Sequence, residues 1–342
     1  MQNDRGGGMT SNMIEVSGLT KHFGELKAVD HVSFEVKEGE IFGFLGPNGA
    51  GKTTTINMLT TVLRPSDGQA KVAGHDIARD ALGVRRSIGL VPQEYTADED
   101  LTGIENLLLV ARLYDIPKAE ARMRAAELLT LVQLKEAADR TVETYSGGMR
   151  RRLELACGLI NRPKVLFLDE PTLGLDVQTR AAVWQYIRLL KDQYHMTLFM
   201  TTHYLEEADN LCDRIAIIDQ GKIVALDTPS ALKASLGGDI VEIQVNGGPT
   251  GDLEQAVRGI QSVREVKRSN GVYRLTVVNG EETAPLILDA IRGLNLKVSR
   301  ISIAKPTLDE VYLDRTGRPM RELEGNREDV FRQRMTMRRA RP

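Results

Sequence analysis

Apolar residues along this chain follow two rhythms. Short saturated runs, Ile41-Phe42-Gly43-Phe44-Leu45, Val165-Leu166-Phe167-Leu168, Thr197-Leu198-Phe199-Met200 and Ile215-Ala216-Ile217-Ile218, predict strands buried on both faces. Over residues 13 to about 229 such runs alternate with helical patterns, with glycine turns between them. That order predicts one α/β unit on a largely parallel sheet covered by helices. Between residues 101 and 160 the strand signals vanish. Ile104, Leu107, Leu108 and Ala111, then Ala125, Leu128, Leu129 and Val132, recur at helical spacing and predict an all-helical insertion.

After Leu236-Gly237-Gly238 the rhythm changes again. The pattern predicts a strand over 240–245, a helix over 253–260, strands over 263–267 and 272–278 joined by a Ser269-Asn270-Gly271 turn, a helix over 284–294 and a strand over 298–304. The order β-α-β-β-α-β is the split ferredoxin-like arrangement. The chain therefore divides into a flexible extension (1–12), a first domain (13–236), a small second domain (239–317) and a tail (318–342). The tail holds eight arginines against four acids. It reads as a solvated extension or as a contact for anionic lipid heads or an acidic surface.

The composition excludes more than it selects. At 342 residues there is material for about two domains, and 42% hydrophobic, 27% charged and a net charge of −2 describe an ordinary globular protein. No charge bias points to nucleic acid. No apolar run approaches the roughly 18–20 residues of a membrane-spanning helix. The polar, Gly-rich start has no apolar core of the kind a secretory signal needs, and Met9 or Met13 is an alternative start. Cys157 and Cys212 are isolated and match no metal spacing, as expected of buried free thiols. His22, His31, His75 and His195 have no ligand spacing and read as ordinary histidines.

Chemistry enters at Gly46-Pro47-Asn48-Gly49-Ala50-Gly51-Lys52-Thr53, followed by Thr54 and Thr55. This stretch fits G-x-x-x-x-G-K-[ST] between the 41–45 strand and a helix predicted over 54–63. Glycines let the backbone curl round a phosphate chain, with N–H groups and the positive helix end aimed at the anion. Lys52 can reach the β- and γ-phosphates, and the Thr53 hydroxyl can ligate Mg²⁺. The 165–168 strand ends in Asp169-Glu170-Pro171. Ligands collect at the carboxyl ends of parallel strands, so both carboxylates should emerge beside the phosphate loop. One can hold the Mg²⁺ shell and its neighbour can deprotonate a water.

Three further motifs complete a pattern. Tyr145-Ser146-Gly147-Gly148-Met149 opens a helix (150–159) with small residues, Val91-Pro92-Gln93-Glu94 places a Gln after a strand, and Phe199-Met200-Thr201-Thr202-His203 ends a strand in a histidine. Together with the phosphate loop and the Asp-Glu pair these resemble the nucleotide-binding domain of ABC transporters, over residues 13 to about 229. The resemblance implies a P-loop NTPase fold of the ABC type with a helical insertion, alongside the small α+β ferredoxin-like C-terminal domain. It implies ATP and Mg²⁺ as cofactors. Gly46, Pro47, Asn48, Gly49, Ala50, Gly51, Lys52, Thr53 and Thr54 would cradle the phosphates. Thr53, Gln93 and Asp169 would serve the metal. Glu170 would be the catalytic base, Gln93 would touch the attacking water, and His203 would contact the γ-phosphate. Ser146, Gly147, Gly148 and Met149 would serve the opposite subunit's ATP in a head-to-tail dimer, with Asp176 at that interface. Phe23 would stack on adenine, unless it is simply a core aromatic.

Two departures from the usual motifs stand out. Tyr145 and Met149 replace the outer residues of LSGGQ, and Leu173-Gly174-Leu175-Asp176 replaces Ser-Ala-Leu-Asp. Both variants resemble the daunorubicin-resistance-type exporter branch, as do Thr202-His203-Tyr204-Leu205-Glu206-Glu207-Ala208 and Pro306-Thr307-Leu308-Asp309-Glu310-Val311-Tyr312-Leu313. The implied function is an ATPase subunit at the cytoplasmic side of the membrane, powering a separate transmembrane permease that exports drugs or lipid-like molecules. It would act as a homodimer or beside a paralogue, with no nucleic acid. The alternatives are an importer ATPase and a soluble ABC ATPase acting on ribosomes or chromosomes. Ribosomal types usually carry two nucleotide domains. Chromosomal types need a long coiled coil, whereas about 110 residues without sustained heptads separate Thr53 from Val165.

Overall fold

The computed structural model describes residues 11–246, 250–269, 271–294 and 296–320. Residues 1–10 of the predicted extension, Asn270 of the predicted turn and residues 321–342 of the arginine-rich tail lie outside that set. The chain divides into two compact units, the second beginning at Asp227.

In the first unit the elements run β1 (Asn12–Phe23), β2 (Leu26–Lys37), β3 (Ile41–Leu45), α1 (Lys52–Leu59), β4 (Asp67–Val72), β5 (His75–Asp76), α2 (Ala81–Ser87) and β6 (Ile88–Val91). The helical insertion follows as α3 (Gly103–Leu113), α4 (Lys118–Leu131), two short 3₁₀ turns and α5 (Gly147–Leu159). Then come β7 (Val165–Asp169), α6 (Val177–Tyr194), β8 (Thr197–Thr202), α7 (Leu205–Leu211), β9 (Arg214–Asp219) and β10 (Lys222–Asp227).

The central sheet has the order β10-β9-β3-β8-β7-β6, and its pairs β9–β3, β3–β8, β8–β7 and β7–β6 are parallel. The sequence reading expected one largely parallel sheet, but the unit holds a second one. It is four-stranded, of order β2-β1-β4-β5, and antiparallel throughout. The cause is period-2 alternation in β2, where Val32, Phe34 and Val36 are buried between exposed His31, Ser33, Glu35 and Lys37. Phe34 carries that sheet onto the central one. Its ring stacks 5.3 Å from Phe42 and 5.8 Å from Phe199, and Phe199 lies 5.5 Å from Phe167. Aromatic pairs in this geometry contribute about 0.5–1.5 kcal/mol beyond their burial.

The insertion has its own core of Leu107, Ala111, Ala125, Leu129, Leu153 and Ile160. The Tyr145 hydroxyl donates to the Ala137 carbonyl at 2.6 Å inside it. Tyr145, the departure at the first signature position, is thus a packing residue, 5% exposed.

The second unit (227–320) contains α8 (Pro229–Ala234), β11 (Asp239–Asn246), α9 (Thr250–Arg258), β12 (Val263–Ser269), β13 (Val272–Val277), α10 (Gly280–Gly293), β14 (Lys297–Ala304) and α11 (Leu308–Thr316). Its sheet has the order β12-β13-β11-β14 with antiparallel pairs, the split β-α-β-β-α-β topology. The unit begins ahead of the expected boundary at residue 236 because α8 packs against α11 and buries Leu232. Helix α10 starts four residues before the predicted 284. The Asn279 side chain accepts from the N–H groups of Glu281 and Glu282, and this cap fixes the earlier start.

Candidate functional site

Strand order brings three strand ends together. β8 lies between β3 and β7, so the chain after Leu45, the end of β7 at Asp169 and the end of β8 at Thr202 emerge side by side. Gly46 N–H donates to the Thr202 carbonyl at 3.2 Å and fixes the start of the phosphate loop there. The loop is pressed close to its neighbours. A Cβ at Gly46 would stand 2.2 Å from the Ile218 carbonyl, and one at Gly51 (φ +107°) would stand 2.5 Å from that of Ala28. No side chain caps α1, so its first N–H groups remain available to a phosphate.

Lys52 is 4% exposed. Its ammonium donates to the carbonyls of Gly46 (2.7 Å) and Pro47 (3.1 Å) and pairs with Glu170 Oε1 at 3.0 Å. The other Glu170 oxygen lies 2.7 Å from His203 Nδ1. Glu170 has φ +48°, the left-handed region that a non-glycine residue rarely enters. Its N–H donates to the Thr201 carbonyl (3.2 Å) and hydroxyl (3.0 Å), and this pair of bonds holds the turn. Strain of this kind concentrates at functional sites.

Asp169 is the second acid. Its Oδ1 accepts from Thr201 Oγ1 at 2.5 Å and from Thr53 Oγ1 at 3.3 Å. The two carboxylates are shifted in opposite directions. Burial raises Asp169, and the Thr201 and Thr53 bonds only partly offset it. Burial also pushes Glu170 up, but the His203 hydrogen bond and the Lys52 charge outweigh it and hold the group at about 2. Because the folded value lies below the ordinary one, the stabilisation is present above the usual carboxylate range. It is lost as pH falls from about 4.5 towards about 2. Thermal unfolding of nucleotide-free protein should therefore show the parent more stable than Glu170→Gln at pH 7, with the gap closing between pH 5 and pH 2.

The remaining predicted residues are placed as follows. Gln93 is half-buried just beyond β6, and its carbonyl accepts from Arg151 Nη2 at 3.1 Å. Ser146 caps α5, accepting from Met149 N–H at 3.3 Å, and with Gly147 it is exposed. Gly148 is small for a packing reason also, since a Cβ there would stand 2.5 Å from Thr179 Cγ2. Asp176 caps α6, accepting from Thr179 N–H (2.9 Å) and Oγ1 (2.8 Å), and is exposed. Phe23 ends β1 opposite Leu26 with the Lys21 ammonium 5.3 Å from its ring centre. Lys52, Thr53, Asp169, Glu170 and His203 thus form one hydrogen-bonded group. Ser146, Gly147, Gly148 and Asp176 make no bond to it.

Four residues of the site were missed in the sequence. Thr201 holds both acids. Glu207, fully buried, accepts from Thr172 Oγ1 (2.8 Å) and Trp184 Nε1 (2.9 Å) and ties α7 to the segment after Glu170. Arg151 and Glu154 on α5 bind the Gln93 segment. A signal existed for Glu207, since an acid between apolar turns of a short helix, with Ala208 and Leu211 buried beside it, is placed to be buried itself.

Residues 29–173 match the ABC transporter family, and residues 228–316 match the C-terminal domain of ATP-binding proteins of the DrrA1-3 type. The daunorubicin resistance ATP-binding protein DrrA3 of Streptomyces coeruleorubidus is 42% identical over 90% of this chain and 97% of its own length. The linearmycin resistance ATP-binding protein LnrL of Bacillus subtilis (strain 168) is 36% identical over 91% of this chain and its whole length. Among solved structures, the dimeric ADP- and Pi-bound post-hydrolysis state of the ATP-binding cassette MJ0796 matches with a TM-score of 0.58. It is 27% identical over 63% of this chain and 98% of that one.

Proposed function

The chain belongs to the ATP-binding proteins of ABC transporters, with a C-terminal domain of the DrrA type, and from that premise we propose that it hydrolyses ATP to power a drug exporter. The observation that carries the reading is the buried Lys52–Glu170–His203 group beside Asp169 and Thr53. Lys52 and Thr53 open an uncapped helix, and Asp169, Glu170 and His203 reach them from two neighbouring strand ends. Glu170 Oε1 pairs with the Lys52 ammonium, the group that would reach the γ-phosphate.

The donor set fits Mg²⁺. Thr53 Oγ1 and Asp169 Oδ1 are hard oxygens 3.3 Å apart, and Mg²⁺ characteristically takes one or two protein oxygens and completes its shell with phosphates and water. Thr53, Asp169 and Gln93 would hold the ion, which when bound supplies charge neutralisation at the phosphates. Lys52 and the loop from Gly46 to Thr54 would hold the phosphates, Glu170 would take the proton of the attacking water, and His203 would stand at the γ-phosphate. Phe23 would face the adenine.

Ser146, Gly147 and Asp176, all exposed, and the half-buried Gly148 are read as serving the opposite subunit's ATP in a head-to-tail dimer, formed with a second copy or a paralogue. A dimeric cassette among the similar structures supports this. Among the described residues no helix is long and apolar enough to cross a membrane. The permease is therefore read as a separate chain, with this one peripheral to it on the cytoplasmic side. Two resistance proteins among the relatives favour export over import or a soluble role.

The test uses the full chain purified with Mg²⁺ and ATP. The parent should release phosphate, while Lys52→Ala should lose both nucleotide binding and turnover. The native complex should contain a hydrophobic permease, and deleting the pair should sensitise the host to a drug. A parent protein without Mg²⁺-dependent phosphate release would end this reading.

A further inference from the structure

Helix α5 begins with Ser146 and carries, one turn further on, two fully buried charges that face away from it. Arg151 is 1% exposed and Glu154 2%. Arg151 donates from Nη1 to the Pro92 carbonyl (2.8 Å) and from Nη2 to the Gln93 carbonyl (3.1 Å) and the Glu170 carbonyl (3.4 Å). Glu154 accepts from the N–H groups of Thr96 (2.6 Å) and Ala97 (2.8 Å) and from the Thr96 hydroxyl (2.7 Å). The two side chains are three residues apart and so lie on one helix face. Between them they bind both ends of segment 92–97, the cation taking its carbonyls and the anion its amides.

Tyr95, between those ends, adds two links to the same helix. Its ring centre lies 5.4 Å from the Arg151 guanidinium, and its hydroxyl donates to the Gly147 carbonyl at 3.3 Å. A loop segment normally moves independently of a neighbouring helix, since few bonds join them. This one is joined by charge-assisted bonds in a buried setting. Such bonds are roughly twice as strong as neutral ones, and losing one partner strands a buried charge.

We propose that Arg151 and Glu154 are positioning residues that fasten the Gln93 segment to the signature helix, so that Gln93 at one ATP and Ser146, Gly147 and Gly148 at the other shift as one body. The inference rests on the head-to-tail dimer. Within it, Gln93 and Glu170 act on the chain's own nucleotide while the start of α5 acts on its partner's. Arg151 touches the backbone of both own-site residues and is rooted in the helix that serves the other site. Anything that displaces the Gln93 segment therefore displaces phosphate donors at the second nucleotide, without a further conformational step.

The test compares Glu170→Gln protein, in which ATP should hold the dimer closed, with the same full chain carrying Arg151→Met and Glu154→Gln. Hydrogen exchange read by mass spectrometry follows peptides covering residues 92–97 and 146–152. In the parent, ATP should slow exchange in both. In the variant, the second peptide should keep its protection while the first returns to its nucleotide-free uptake. Equal protection of both peptides in the variant overturns the inference. No ATP response in the parent overturns the sandwich and this inference with it.

Steady-state kinetics on the Glu170 background provide a second readout. Misplaced groups cost turnover, not ground-state binding, so Arg151→Met should lower kcat about tenfold with KM little changed. Arg151→Lys, which keeps a cation but not the fork, should recover part of that loss. Should Arg151→Met fail to fold, Arg151→Lys decides alone. A lower kcat at unchanged KM supports the inference, and a lower melting temperature with unchanged kcat overturns it.

Discussion

A Glu170→Gln protein is expected to bind ATP at least as well as the parent and to turn it over roughly 10²–10⁴-fold more slowly. Both halves follow from the geometry. Gln fills the same volume, and its carbonyl can still accept from His203 or Lys52, so the site keeps its shape. The amide removes a buried charge that competes with the γ-phosphate for Lys52, 3.0 Å away. What it cannot do is take a proton.

The protonation of Glu170 makes the assignment sharper. His203 and Lys52 hold it at about 2, below the usual carboxylate range. A γ-phosphate that draws Lys52 away removes one of the influences lowering the group, while burial, which raises it, remains. Nucleotide titration by fluorescence and single-turnover phosphate release measure the two halves separately. Parent-like turnover in purified Glu170→Gln protein rejects the base assignment.

How far the site could be read from the chain depended on whether its chemistry restricts residue type. A backbone wrapped round a phosphate admits only glycine where the Ala28 and Ile218 carbonyls come within 2.5 Å, so Gly46 and Gly51 are visible in sequence. A strand end that places two acids at a sheet's carboxyl edge is visible for a similar reason. Arg151 and Glu154 were not, because charges on a helix ordinarily mark its solvated face and nothing local distinguishes a buried pair. Their partners are the backbone atoms of residues 92–97, which carry no sequence signature. Thr201 was hidden likewise, a hydroxyl in an apolar strand that matters only because β7 lies alongside. The antiparallel sheet was legible in Val32, Phe34 and Val36, whose alternation was absorbed into the parallel pattern around it.

The exposed start of α5 leads to the second large effect. Ser146→Arg on the Glu170→Gln background should abolish the ATP-stabilised dimer while leaving nucleotide binding to the single chain nearly unchanged. Ser146 is exposed and its hydroxyl accepts from the Met149 N–H, so a longer side chain there meets solvent in the monomer. In a head-to-tail dimer the same position faces the partner's γ-phosphate, where an arginine has no room beside the donors of Gly147 and Gly148. Each ATP then joins two chains less well than one, and the population shifts back to open monomers. The substitution also removes an N-cap, which by itself costs about 1 kcal/mol. Ser146→Ala separates the two causes, since it loses the cap without adding bulk and should retain most of the dimer. Light scattering with and without ATP reads the outcome for all three proteins. A dimer fraction in Ser146→Arg equal to that of its Ser146 parent contradicts the sandwich, whereas equal losses in Ser146→Arg and Ser146→Ala assign the effect to the cap.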